Sequence, residues 1–199
     1  MAFNLSDAPR EPWKGLAYLL QKSRFQPLDT WGDRNVARML VRIEPEWSVI
    51  YATRLVAAKP NDAFGHYLLG SGFNNSRRFD DAEREYLIAA EDAEQRRYAL
   101  SELAAMRLFG DPTVPDKVRA AKAKPAVDRM VAEYPELGAA WYLRVMQGLV
   151  ADHRIDMDSP AARNFLKYYD RNNVQQTLAA QRMQGIEPAA AKGQGRPRP

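Results

Sequence analysis

The chain has 199 residues, 46% of them apolar, with 4 Trp, 9 Tyr and 7 Phe, which is enough for a domain with a sizeable core and excludes disorder for its body. It contains no cysteine, which rules out a disulfide framework and any thiolate metal site and makes a reducing cytoplasm the expected location. The net charge of +4 is confined to the end of the chain, where Arg171, Arg182, Lys192, Arg196 and Arg198 face only Glu187, so bulk charge offers a nucleic-acid partner no support.

The opening residues, Met1 to Arg10, include Asp7 and lack the apolar run of a signal peptide. Pro12 sits where a first helical turn tolerates it, and Trp13, Leu16, Leu19 and Leu20 recur at helical spacing to about Lys22. Asp29 or Thr30 can cap a second helix carrying Val36, Met39, Leu40 and Ile43, which ends at Glu44-Pro45. A third helix, Glu46 to Ala58, carries Trp47, Ile50, Tyr51, Arg54 and Leu55 and stops before Pro60. Helices four and five fall within residues 63–96. Helices six to nine run roughly from Glu94 to Leu108, Asp116 to Glu133, Leu137 to Asp152 and Ser159 to Asp170. A tenth, Asn173 to Met183, is stopped by Gly185 and Pro188. No apolar–polar alternation bounded by hairpin turns predicts a strand, and no uncharged apolar stretch nears the roughly 20 residues of a membrane span. The expectation is an all-α chain of about ten helices, with residues 1–184 as one helical domain and residues 185–199 as a flexible basic tail.

Residues 63–96 hold the most ordered pattern: His66, Leu69-Gly70 and Phe73, then Ala82, Tyr86 and Ala89. Small Gly70 and Ala82 let two antiparallel helices approach closely, while Leu69, Phe73 and Tyr86 fill the space between them. In order and spacing this segment resembles a tetratricopeptide repeat (TPR), with His66 where the family has Trp and Glu94 where Pro is commonest. One repeat cannot bury its apolar face alone, so neighbours are required. Leu100, Leu103 and Ala104 repeat the spacing downstream, with Tyr98 in the place of Phe64. The partner helix of that unit brings Ala123, Val127 and Met130 before Pro135, after a turn about seven residues longer than the family length of about 34 allows. A third unit opens at Trp141 and closes with Ala161 and Phe165, and a weaker one precedes the clear repeat. The resemblance implies antiparallel helix pairs stacked as a short TPR-like solenoid that binds other proteins.

Family architecture further implies that the first helix of each pair lines a concave groove. That face maps to Phe64, Tyr67, Ser71 and Asn74, then Tyr98, Ser101 and Ala105, then Tyr142 and Met146. Such an aromatic, weakly polar lining suits an apolar helix or extended peptide. It lacks the Lys and Asn of the family's clamp for acidic carboxyl termini, and the same aromatics can serve as packing between helix pairs. Other chemistry is not predicted. Asp152, His153, Asp156 and Asp158 crowd one turn, but Met157, Ser159 and Pro160 break a calcium-loop scheme, and an N-cap at Asp158 or Ser159 accounts for the letters. Gly70-Ser-Gly72 lies inside a predicted helix and Gly193-Gln-Gly195 in the tail, so neither is a phosphate loop, and His66 belongs to a packing face. The expectation is a non-enzymatic adaptor, or an assembly or regulatory factor, that holds a segment of a partner protein and needs no metal or cofactor. Nucleic-acid association through the basic tail and neutralisation of a toxin are the alternatives.

Overall fold

Local capping chemistry sets the helix boundaries. In the computed structural model, which describes residues 12–185, the Asp29 carboxylate accepts from the Gly32 amide at 2.7 Å and Asp62 from Gly65 at 3.2 Å. Ser159 accepts from Ala162 at 3.2 Å and Asn173 from Gln176 at 3.1 Å. Each satisfies an amide that a helix start leaves without a partner. Asp29 rather than Thr30, and Ser159 rather than Asp158, does the capping. Pro45 and Pro160 occupy first turns, and Gly185, at φ +70°, follows the last helix.

The result is all-α. The helices are α1 Pro12–Ser23, α2 Thr30–Leu40, α3 Pro45–Ala58, α4 Ala63–Asn75, α5 Phe79–Ala89, α6 Arg96–Phe109, α7 Asp116–Glu133, α8 Gly138–Asp152, α9 Pro160–Tyr168 and α10 Val174–Met183. No strand occurs among the described residues. The expectations for residues 1–11 and for the basic tail from residue 186 onward lie outside them. The chain divides into two compact units, Met1–Thr113 and Val114–Pro199.

In the first unit, α2, α4 and α6 lie side by side, α3 packs against both α2 and α4, and α5 packs against both α4 and α6. This is the stacking of a helical repeat, and the buried positions recur with it. Val36, Ala37 and Leu40 on α2 match Leu69, Gly70 and Phe73 on α4, and Leu100, Leu103 and Ala104 continue the pattern on α6. Ser48, Ala52 and Leu55 on α3 match Ala82, Tyr86 and Ala89 on α5. Trp47 and Ile50 are 53% and 44% exposed, whereas Ser48 and Val49 turn inward with Tyr51 and Leu55. A small residue is required there, and the Ser48 hydroxyl is satisfied by donating to the Ala37 carbonyl at 2.9 Å.

Helix α4 is held from both sides through its glycines. A Cβ on Gly72 would lie 2.9 Å from Val49 Cγ2 of α3, and one on Gly70 would lie 2.8 Å from the Tyr86 ring of α5. In the second unit, α7 packs on α8, and α8 packs on α9 and α10. Ala123, Val127 and Met130 are buried on α7, while Val145, Phe165 and Ala180 form a cluster shared by α8, α9 and α10. Gly138, at the start of α8, lies against the end of α9, where a Cβ would come 2.7 Å from Tyr169 Cα.

These contacts separate two kinds of glycine. Gly70→Leu is expected to destabilise the chain by about 1–3 kcal/mol through overpacking against Tyr86. Gly148→Ala, on α8 where an added Cβ would meet nothing within 4 Å, is expected to stabilise by about 0.5–1 kcal/mol through helix propensity. Urea unfolding of the two variants measures both, and equal effects would contradict this account of α4.

Candidate functional site

The side-by-side arrangement of α2, α4 and α6 gives them a shared face that α3 and α5 do not cover. At helical spacing this face carries Phe64, Tyr67, Ser71 and Asn74 of α4 and Tyr98, Ser101, Glu102 and Ala105 of α6. All are partly buried except Tyr98, which is 46% exposed.

The aromatic groups are positioned by contacts from three helices. The Phe64 and Tyr67 rings stack with centroids 6.0 Å apart, and the Tyr86 ring lies 6.2 Å from Tyr67. On the α2 side the Arg34 guanidinium sits 5.3 Å above the Phe64 ring and pairs with Asp62 at 2.5 Å. Tyr86 is buried on α5, yet its hydroxyl reaches through to donate to Ser71 Oγ at 3.3 Å. Burial pushes the Tyr67 and Tyr86 phenols above their ordinary range, and the Glu102 carboxylate adds to both shifts. On α6 the Arg97 guanidinium lies 4.5 Å over the Tyr98 ring and donates to its hydroxyl.

Glu102 is the one site residue that the spacing could have revealed and the sequence reading missed: it lies one helical turn beyond Tyr98. Burial pushes its carboxyl above the ordinary range, and the field of Arg42 works against that shift. Its carboxylate forms no hydrogen bond or ion pair among the described residues. The paired acids behave in the opposite way. Asp81 is held low by Arg78 and Arg84, and Asp128 by Lys124 and Arg144.

Tyr142 and Met146 belong to the second unit, on α8. There they pack against the Val145, Phe165 and Ala180 cluster, with the Tyr142 ring 5.7 Å from Phe165. His66 is buried between Glu85, 2.6 Å from Nδ1, and the Pro60 carbonyl, 2.8 Å from Nε2.

Two clefts lie elsewhere. One of about 680 Å³ opens between α7, α8 and the following turn, beside Lys117, Lys124, Arg144 and Arg154. Lys124 and Arg144 there are already paired with Asp128. The other, of about 580 Å³, borders residues 23–28, Asp33 and Arg54. Burial pushes the Asp33 carboxyl up, and its Oδ1 makes no hydrogen bond. In the crowded acidic turn, Asp156 Oδ1 accepts from the Asp158 amide at 3.1 Å and the Asp156 carbonyl accepts from the Ser159 hydroxyl at 2.6 Å. Among the described residues no group of three or more His, Asp or Glu side chains could hold a metal ion, and no helix is long and apolar enough to cross a membrane.

Compared with known proteins, the chain matches no family model, no curated protein and no solved structure.

The raised Glu102 carboxyl has a definite consequence for stability. An acid whose folded-state value lies above its unfolded one binds more protons when folded, so stability falls as pH rises from the ordinary glutamate value of about 4.3 to the raised one. Glu102→Gln is expected to raise the melting temperature at pH 7 and to flatten that part of the pH profile. A lower melting temperature at pH 7 would show that the carboxylate is satisfied as it stands.

Proposed function

We propose that this chain is a non-enzymatic protein-binding module built as a TPR-like helical repeat, and that the shared face of α4 and α6 holds a segment of a partner protein. The observation that carries this reading is the aromatic platform formed on neighbouring helices by the stacked Phe64–Tyr67 pair and the exposed Tyr98. Tyrosine offers large contact area, a polar tip and few rotors to freeze, which are the properties of a binding anchor. Ser71, Asn74 and Ser101 add small polar groups that can serve a peptide backbone.

Selection of a random-peptide phage library on the immobilised full-length chain tests the reading. Peptides that bind are expected to lose at least about tenfold in affinity on Tyr98→Ala, with the circular-dichroism melt moving little because Tyr98 is 46% exposed. Tyr67 is tied to Phe64 and Tyr86, so Tyr67→Ala is expected to weaken binding and also to lower the melt. Peptides indifferent to both changes would place the binding surface elsewhere, for example on the exposed Trp47 and Ile50 face of α3.

A further inference from the structure

We propose that Glu102 is the floor of a cation subsite in this groove, one that takes the Lys or Arg side chain of the bound segment beside Tyr67 and Tyr98. The inference rests on the groove reading above and adds the chemistry of what the groove selects. Exposed charges say little about a ligand, because water satisfies them whether or not anything is bound. A carboxylate that is partly withdrawn from water without a hydrogen bond or ion pair is different, because it costs stability until a counter-charge arrives. Among the charged groups of this face Glu102 alone stands so. Arg34 is paired with Asp62, and Arg97, an exposed residue, is stacked on Tyr98 and donates to its hydroxyl.

The surroundings match a cation. Glu102 is near enough to Tyr67 for its charge to act on the phenol, and Tyr98 stands one turn away on the same helix. Aromatic faces beside a carboxylate attract an ammonium or guanidinium through the ring quadrupole and direct charge pairing together. Tyr98 already accepts a guanidinium, that of Arg97, on one face of its ring. The competing positive group is Arg42. It is exposed at the turn after α2 and acts on Glu102 only through space, without forming an ion pair. It lowers the attraction without filling the subsite.

The peptides selected on the full-length chain, with binding measured by fluorescence anisotropy, decide the matter. Enrichment of one Lys or Arg is expected. Its replacement by norleucine should cost at least about tenfold in affinity, and Glu102→Gln should cost about the same. The two changes combined should cost little more than either alone. Arg42→Ala should strengthen binding. Glu102→Gln is expected to fold at least as stably as the parent, so a loss of binding cannot be assigned to unfolding. Peptides that depend on Tyr98 but carry no basic residue and ignore Glu102→Gln would overturn the subsite and leave the groove intact. Peptides that ignore Tyr98 as well would overturn the groove and the subsite together.

Discussion

The contact between Gly70 and the ring of Tyr86 supports both the packing and the candidate site. Tyr86 is fully buried with its ring against α4, where any side chain on Gly70 would occupy the same space. Its hydroxyl reaches Ser71 on the same helix and donates to Oγ at 3.3 Å. A core tyrosine thus also touches the face that carries Tyr67 and Ser71. The same ring lies 6.2 Å from Tyr67, which in turn stacks on Phe64. Stability and the shape of the face therefore depend on one side chain, and rigid support of this kind is what keeps a binding surface from losing affinity to its own disorder.

Polar groups inside the first unit follow two rules. Ser48 and His66 are buried and fully engaged, one by the Ala37 carbonyl and the other by Glu85 and Pro60. Asp33 and Glu102 are withdrawn from water and incompletely matched, and burial raises the carboxyl of each. Asp33 occupies on α2 the register that His66 occupies on α4. The longer histidine spans to two acceptors, whereas the shorter aspartate leaves one oxygen without a partner and borders an open cleft. The same packing position is thus satisfied in one pair and not in the next, because side-chain length differs.

Much of the fold was legible because apolar residues and helix-terminating residues recur at fixed intervals. Pro, Gly, Asp and Ser mark nearly every boundary, and small residues at 70 and 82 identify the closest helix pair. Where letters and environment part, the reading failed for identifiable reasons. Trp47 and Ile50 are large apolar residues, yet the buried positions of α3 go to Ser48, which meets α2, and Val49, which meets Gly72 of α4. Hydrophobicity ranks residues but does not measure the gap they must fit. In the pair formed by α2 and α3, polar Asp33 and Ser48 are both buried in the register of a repeat.

The candidate site was legible in part, and for a similar reason. The family resemblance put Phe64, Tyr67, Ser71, Tyr98 and Ser101 on one face, but an aromatic letter does not state how much of its ring reaches solvent. Tyr98 is open and Tyr142 is packed on Phe165, although both follow the same sequence logic. Glu102 was passed over because a glutamate on a helix is ordinarily a solvated residue that carries no message. Its significance comes from what surrounds it, namely buried phenols and the absence of a paired base, and neither follows from periodicity. Aromatic residues propose a surface by their spacing. The chemistry that surface selects is decided by the few charges that folding leaves without partners.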